Sequence, residues 1–171
     1  MLHPADIYVL CGLLVAADQS WTYRELAGQL DVPLPVVQRA LQRLEEADLY
    51  SSQTRSVHRP NAEELLVHGL RFLFQARLGA VVPGVPAAWA AAPVSHVIRE
   101  SGDLPPVWPS ARARVRGQAL QPLHKSAVAA AEKLPQLGEL LAIVDSLRAG
   151  DVRVRSVAAE MLAKTMRGSL E

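Results

Sequence analysis

The sequence has little cysteine and no long uninterrupted hydrophobic segment. Cys11 is the one cysteine among 171 residues, which excludes a disulfide-stabilised scaffold and agrees with a reducing compartment. The longest apolar run, Ile7 to Ala17, is shorter than the ~18 residues that a membrane-spanning helix requires. An acidic residue, Asp6, stands where a secretory signal would carry positive charge. We therefore expect a cytoplasmic protein with no membrane partner.

A large net charge and a catalytic motif are also missing. The 18 basic residues are balanced by 17 acidic ones, so nucleic-acid binding would depend on where charges are placed locally. The five histidines lack the spacing of metal ligands, and no nucleophile or carboxylate pair forms a recognisable motif. We expect no enzyme activity, no metal and no cofactor. Half of the residues are hydrophobic, which excludes a disordered chain.

Proline placement divides the chain into three regions. Seven of the twelve prolines lie between Pro83 and Pro122. Dense helical periodicity precedes this segment, and strong helical patterns resume near Ser126. We predict a first domain over residues 1–76, a packed Pro- and Ala-rich connecting region over residues 77–125, and a C-terminal helical region over residues 126–171.

The first region has the pattern of helices joined by short turns. A helix is predicted from Pro4 to about Ala17, because apolar residues recur on one face at helical spacing. Thr22 and Glu25 form a capping box that begins a second helix, which ends near Leu30. A third helix is predicted over residues 34–47. Its inward positions are Val37, Ala40, Leu41 and Leu44.

A hairpin and a fourth helix follow. Residues 49–57 alternate weakly around a polar centre, which is typical of a short β-hairpin. Asn61 is the predicted N-cap of a helix that runs to about Ala76. The sequence therefore predicts a mainly α fold with a small β-hairpin.

The order helix, helix, three-residue turn, helix and hairpin is that of a winged helix-turn-helix. Residues 22–27 (TYRELA) and 36–49 (VVQRALQRLEEADL) resemble the MarR-like winged-helix regulators of bacteria. The resemblance covers residues 1–76, which is less than half of the chain. It implies a DNA-binding protein whose third helix enters the major groove, and a homodimer that matches a palindromic operator.

A polar face of the third helix is the predicted base-reading surface. With the apolar positions in the core, the opposite face carries Pro35, Gln38, Arg39 and Gln42. Arginine can donate two hydrogen bonds to guanine, and glutamine can bond adenine in a similar bidentate way. Arg43, at the edge of this face, is suited to a phosphate.

Phosphate contacts are also expected from two neighbouring elements. Residues 49–59 would form the wing, which meets the DNA backbone or the minor groove. The candidate wing residues are Arg55, His58 and Arg59. Tyr23 and Arg24 begin the second helix, where backbone N–H groups and the helix dipole favour a phosphate.

Three features depart from these regulators. The third helix begins with Pro33-Leu34-Pro35 in place of a Ser or Thr cap, and this apolar start suits either a thymine methyl group or a protein partner. Asp31 and Asp48 stand where such chains often have Gly, an exchange that Asp tolerates because it enters left-handed backbone at modest cost. Residues 1–60 hold five basic and seven acidic residues, so the module is net acidic.

The connecting region is too apolar for a free linker. We expect an ordered loop packed over the domain, with a short helix from Val94 to Glu100. Trp89 and Trp108 either fill gaps in the core or line a pocket for an effector. Three arginines then alternate with apolar residues, which indicates a short strand with one basic face that contacts DNA, an acidic partner or solvent. They are Arg112, Arg114 and Arg116.

Two helices joined by a tight turn are predicted at the C-terminal end. Apolar residues recur at helical spacing from Leu134 to Leu147, and Ala149-Gly150 closes this helix. Asp151 then caps a second helix. We expect this helical hairpin, over residues 134–168, to form the homodimer interface. The alternative is that it packs on the rest of its own chain.

These patterns predict a sequence-specific DNA-binding transcriptional regulator, which we expect to be a homodimeric repressor. Its partner would be double-stranded DNA, read by residues 34–47 with residues 49–59 as the wing. The alternative is a protein-interaction module, such as an antitoxin or the regulatory partner of a toxin or defence system, which also represses its own operon.

Overall fold

The computed structural model of the chain is mainly helical, as the periodicity predicts, with a two-stranded and a three-stranded sheet. It describes residues 1–16, 20–99, 104–113 and 115–168. The chain divides into two compact units. The first comprises Met1–Ala62 and Leu123–Gly138, and the second comprises Glu63–Pro122 and Glu139–Glu171.

Three helices and a hairpin form most of the first unit. They are α1 (Pro4–Val15), α2 (Tyr23–Leu30), α3 (Leu34–Glu46), β1 (Tyr50–Ser51) and β2 (Ser56–Val57). The predicted small hairpin is confirmed, because β1 and β2 pair antiparallel with Tyr50 opposite Val57. α3 packs against both α1 and α2, so the core of this unit lies between the three helices.

α1 is buried on all sides, whereas its periodicity predicts one apolar face. Every residue from Asp6 to Leu14 is buried. Gly12 permits the close approach of α2, because a Cβ at this position would lie 2.7 Å from a side-chain carbon of Leu30. The helix ends at Val15, and the predicted last residue, Ala17, lies outside the described residues.

The predicted capping box and the turns around α3 are confirmed. The Glu25 N–H donates to the Thr22 hydroxyl at 3.1 Å, and the Thr22 N–H donates to the Glu25 carboxylate at 2.7 Å. Asp31 ends α2 with φ 54°, and Asp48 follows α3 with φ 55°. Both aspartates therefore adopt the left-handed conformation that would otherwise favour glycine.

A later segment of the first unit contributes α6 (Ala127–Lys133), which packs against α2. The His124 ring stacks on Tyr8, with ring centroids 5.2 Å apart. The Ser126 hydroxyl donates to the Asp31 carbonyl at 2.7 Å. These contacts fix the start of α6 inside the first unit.

The helix predicted from an Asn61 cap to Ala76 is shorter and irregular. It consists of α4 (Arg59–Glu64), a π-helical stretch (Leu65–Gly69) and α5 (Leu70–Leu73). The predicted cap is wrong, since the Asn61 side chain instead donates to the Asp48 carbonyl at 2.9 Å. The Leu70 N–H bonds to the carbonyl of Leu65, five residues earlier, which gives the wider π turn.

A small three-stranded sheet lies in the second unit. β3 (Val81–Pro86) pairs antiparallel with both β4 (Pro106–Pro109) and β5 (Val115–Ala119), and β4 pairs parallel with β5. The three strands therefore close on themselves. Gly84 is required for this closure, because a Cβ there would lie 2.5 Å from the Trp108 carbonyl oxygen.

The expectation of a loop over most of the connecting region is wrong. Its prolines indicated breaks in structure, yet Pro83 and Pro86 lie within β3, where Val82 and Gly84 continue the pairing. The helix expected over residues 94–100 is one 3-10 turn, Val94–His96. Glu100 lies outside the described residues.

The predicted basic strand is displaced along the chain. β5 begins at Val115, after Arg112, and continues to Ala119. Arg116 lies in this strand and is exposed, whereas Arg114 lies outside the described residues. The alternation of arginine with apolar residues therefore predicts a real strand, but the strand begins later in the chain than the alternation does.

Two long helices follow α6, as predicted. α7 (Pro135–Ala149) and α8 (Val152–Met166) are separated by Gly150 and Asp151. The Asp151 carboxylate accepts a hydrogen bond from the Val154 N–H at 2.9 Å, which confirms the predicted cap. None of the described helices is long and apolar enough to cross a membrane.

A polar network lies buried in the second unit. The Asp145 carboxylate accepts hydrogen bonds from Trp108 Nε1 at 2.8 Å and from Arg148 Nη1 at 2.6 Å. Burial raises the pKa of Asp145, although these two partners act in the opposite direction. Trp108 therefore fills the core, which is one of the two alternatives that the sequence leaves open.

Candidate nucleic-acid interface

α3 separates a buried apolar face from an exposed polar one. The residues predicted to face inward are buried, namely Val37, Ala40, Leu41 and Leu44. The four residues predicted to read bases are all exposed, namely Pro35, Gln38, Arg39 and Gln42. They share one surface of α3, which we call the α3 face.

Arg39 is the unpaired charge of the α3 face. No described residue forms a hydrogen bond or an ion pair with its guanidinium. Gln42 donates to the Glu46 carboxylate, one turn later, at 3.2 Å. This hydrogen bond is exposed and its donor, the Gln42 amide, is uncharged. Gln42 can therefore exchange Glu46 for the edge of a base at little cost in free energy.

Arg43 lies beside the α3 face but is engaged inside the first unit. Its Nε donates to Asp6 Oδ2 at 2.8 Å, and its Nη2 donates to Asp6 Oδ1 at 2.7 Å. Asp6 is fully buried, whereas 27% of the Arg43 side chain is exposed. The pair joins α1 to α3, and Nη1 of Arg43 is the nitrogen left for a phosphate.

Arg55 lies in the turn of the hairpin, with φ 53°. Its Nη2 donates to the Trp21 carbonyl at 2.6 Å, and the guanidinium carbon lies 4.5 Å from the centroid of the Trp21 ring. The same carbon lies 5.4 Å from the centroid of the Tyr23 ring. These contacts hold the Arg55 charge in one place, next to the start of α2.

His58 and Arg59, the other predicted wing residues, lie after the hairpin. His58 follows β2 and is exposed, and its N–H donates to the Leu49 carbonyl at 2.9 Å. Arg59 is the first residue of α4 and is half-buried. His58 and Arg59 therefore lie outside the hairpin turn that carries Arg55.

The start of α2 carries both signs of charge. Tyr23 and Arg24 are exposed there, as their predicted role requires. However, Glu25 places a carboxylate in the same turn, where it accepts the Thr22 N–H. A phosphate at this helix end would therefore depend on Arg24 and on the nearby Arg55.

The end of α3 is acidic. Glu45, Glu46 and Asp48 are all exposed there. The hydroxyl and the N–H of Ser52 donate to Glu45, and these hydrogen bonds lower the pKa of its carboxyl. The positive charges on α3 itself are Arg39 and the partly exposed Arg43, and Arg55 adds one in the hairpin turn.

Trp21 is the residue that sequence reasoning missed. It is buried, it stacks against Arg55, and its ring lies 5.9 Å from that of Tyr23. Its signal in the sequence is its position directly before the Thr22 cap, where an apolar residue often packs against the helix that follows. Trp21 therefore links the start of α2 to the hairpin turn.

The comparisons with known proteins give no further guide. No protein-family model matches the chain, and no curated protein and no solved structure is significantly similar to it. Function is therefore inferred from the α3 face and its surroundings.

Proposed function

We propose that the chain is a sequence-specific DNA-binding regulator and a homodimeric repressor in the cytoplasm. The first unit would act as a MarR-like winged helix-turn-helix, with α3 in the major groove and the hairpin as the wing. The observation that carries this proposal is the α3 face, where unpaired Arg39 stands between Gln38 and Gln42 on an exposed surface.

Each residue of the α3 face has a distinct role in this proposal. Arg39 donates two hydrogen bonds to a guanine, and Gln38 and Gln42 bond adenines. Gln42 exchanges its Glu46 partner for a base when DNA binds. Pro35 contributes an apolar contact to a thymine methyl group.

Arg55 and Arg43 would contact the DNA backbone in different ways. Arg55 is already held by Trp21, so little side-chain entropy is lost when it meets a phosphate. Arg43 acts mainly by setting α3 against α1 through Asp6, and offers one nitrogen to a phosphate. With so few free charges, binding should depend only modestly on salt.

The test is a gel shift of the full chain on its own upstream DNA, with competitor DNA at two salt concentrations. A specific complex that survives moderate salt is expected. Arg39→Gln should weaken specific binding by about 1–3 kcal/mol, because one bidentate base contact is lost. Arg112→Gln is the matched control, since Arg112 is an exposed arginine of the second unit. Absence of a specific complex would refute the proposal.

A protein-interaction module is the second candidate, and one observation favours it. Pro33 and Pro35 are exposed at the start of α3, with Leu34 half-buried between them. This apolar patch suits a protein surface as well as a thymine methyl group. Such a chain would be an antitoxin or the regulatory partner of a toxin or defence system.

Co-purification with the product of the neighbouring gene distinguishes the two candidates. If the protein is an interaction module, Pro35→Glu should abolish a complex that Arg39→Gln leaves intact. If it is a repressor, Arg39→Gln should impair its specific DNA binding and leave any protein complex unchanged.

A further inference from the structure

Two large apolar side chains are exposed side by side at the end of α5. Phe72 is 71% exposed and Leu73 is 56% exposed. Leu70 of the same helix is fully buried, so α5 packs through another face and leaves this pair outside the core. Adjacent exposed apolar side chains, unlike single scattered ones, are typical of interaction surfaces. We call Phe72 and Leu73 the α5 patch.

The chain around the α5 patch carries charge of one sign. Residues 65–99 contain no Asp or Glu, whereas Arg71 and Arg77 flank the patch in sequence. Neither arginine forms an ion pair within the described part of the chain. A surface that complements this segment is therefore acidic.

Arg71 joins this positive charge to the apolar surface. Its guanidinium carbon lies 4.3 Å from the centroid of the Phe72 ring, which is a cation–π contact. The ring covered in this way is still largely exposed. A carboxylate can therefore pair with Arg71 while apolar side chains pack on the rest of the Phe72 ring.

Hydrogen bonds hold the end of α5 in place. The Phe74 N–H donates to the Leu70 carbonyl at 2.9 Å, and the Phe74 carbonyl accepts a bond from Arg148 Nε at 3.2 Å. Arg148 is itself paired with the buried Asp145. The backbone next to the α5 patch is thus tied to α7, so little conformational entropy is lost there when a partner binds.

The small size of the α5 patch indicates what covers it. One aromatic side chain buries about 150–250 Å², whereas a stable interface between two proteins buries about 800 Å² on each partner. Phe72 and Leu73 therefore suit a single helix better than a second copy of this chain. Anionic membranes are recognised by clusters of about 4–8 Lys and Arg, and residues 65–78 contain two.

We propose that the α5 patch docks an amphipathic helix of a partner protein, with carboxylates beside the apolar stripe of that helix. The stripe would pack on Phe72 and Leu73, and the carboxylates would pair with Arg71 and Arg77. This surface lies in the second unit, so the proposal does not depend on DNA binding by the α3 face.

The test is fluorescence anisotropy of labelled peptides titrated with the full chain. The acidic peptide has about 20 residues, enough to form a helix in water, with leucines at helical spacing and glutamate and alanine elsewhere. In a second peptide lysine replaces every glutamate, and in a third the acidic sequence is scrambled so that its leucines form no stripe. We expect saturable binding of the acidic peptide, with affinity on the order of tenfold higher than for the other two.

Matched variants separate the apolar and charged contributions. Phe72→Ala should weaken binding of the acidic peptide on the order of tenfold, because its aromatic anchor is lost. Val97→Ala changes another exposed apolar residue of the second unit and should bind like wild type. Arg71→Gln should weaken binding about threefold, whereas Arg112→Gln should not. Urea denaturation checks that each variant is folded.

Three results with the peptides would overturn the proposal. They are no binding of the acidic peptide, equally tight binding by Phe72→Ala, and equally tight binding of the lysine peptide. Vesicles of phosphatidylcholine and phosphatidylserine probe the other class of partner. Vesicle binding that Phe72→Ala abolishes would assign the α5 patch to a membrane surface and would also overturn the proposal.

Discussion

Helix α1 of the first unit and the part of α7 in the second unit invite comparison, since each buries an aspartate that is paired with an arginine. In α1, every residue from Asp6 to Leu14 is buried, and in α7 every residue from Leu140 to Arg148 is buried. Asp6 is 0% exposed and Asp145 is 1% exposed. A buried carboxylate is costly unless it is paired and hydrogen-bonded, and both units meet that requirement with arginine.

The two pairs differ in which helix supplies the arginine and in how exposed that arginine is. Asp6 is paired with Arg43 of another helix, and that arginine remains 27% exposed. Asp145 is paired with Arg148 of its own helix, which is 6% exposed. The first pair therefore fixes one helix against another at the edge of the candidate interface, whereas the second is enclosed.

Arg148 extends the enclosed pair to distant parts of the chain. Its Nε donates to the Phe74 carbonyl at 3.2 Å, and its Nη1 donates to the Gln121 carbonyl at 3.3 Å. These carbonyls lie before and after the segment that forms the three-stranded sheet. One arginine thus bonds the backbone at both ends of that segment.

Removing the enclosed carboxylate should have the largest effect on stability. Asp145→Ala leaves the Arg148 charge and the Trp108 N–H buried without their acceptor, so we expect a loss of about 3–5 kcal/mol of unfolding free energy. Urea denaturation measures it. Asp151→Ala is the control, because it removes an exposed aspartate that caps α8 and should cost about 1 kcal/mol. Equal losses in the two variants would contradict the account.

Removing the partly exposed pair should cost less. Asp6→Ala frees an arginine that reaches solvent, so we expect about 2–3 kcal/mol in the same urea experiment. If Asp6→Ala is as destabilising as Asp145→Ala, the exposure of the arginine partner does not affect how much each pair contributes to stability.

The packing of α1 against α2 gives a smaller test. Gly12→Ala places a Cβ 2.7 Å from the buried Leu30 side chain, so we expect a loss of about 1–3 kcal/mol. Gly28→Ala is the matched control in α2, because nothing lies within 4 Å of its Cβ position. That change should stabilise the protein by about 0.5–1 kcal/mol through helix propensity. If Gly12→Ala stabilises the protein as much as Gly28→Ala does, the two helices are not closely packed at Gly12.

The smallest expected effect is a dependence of stability on pH. Burial, followed by the charge of Lys125, lowers the pKa of His124, so the folded protein holds this ring neutral. Its contribution is present above the unfolded pKa of about 6.5 and is lost as pH falls toward the folded value. Urea denaturation at pH 7 and pH 5 should show a smaller loss on acidification in His124→Asn than in wild type. An unchanged loss would exclude His124 as a source.

In the first unit, local sequence patterns predict the helix caps and the buried faces but not the contacts between distant residues. The Thr22–Glu25 box and the buried positions of α3 follow from spacing and side-chain chemistry, and the structure has them as predicted. The Asp6–Arg43 pair joins residues 37 positions apart, so no local pattern indicates it. It gives Arg43 a link between two helices that the sequence does not predict, beside the phosphate contact that stays a prediction.

The second unit shows where those signals fail. Proline is normally excluded from strand interiors, so the sequence predicts a loop where β3 forms. Its strands pair with partners far along the chain, and two sites of close backbone approach, Gly84 and Gly117, have no signal that distinguishes them from turn glycines. Trp89 and Trp108 both belong to the Pro- and Ala-rich connecting region, yet one lines a cavity and the other donates to Asp145 in the core.

The central claim, that the α3 face reads DNA sequence, is tested most directly by selection from a library of random double-stranded DNA. Wild type should enrich a two-fold symmetric site. Arg39→Gln should lose the base preference at one position of each half-site, while Arg112→Gln should select the same site as wild type. If wild type enriches no sequence, or if Arg39→Gln selects the same site as wild type, the α3 face does not read DNA.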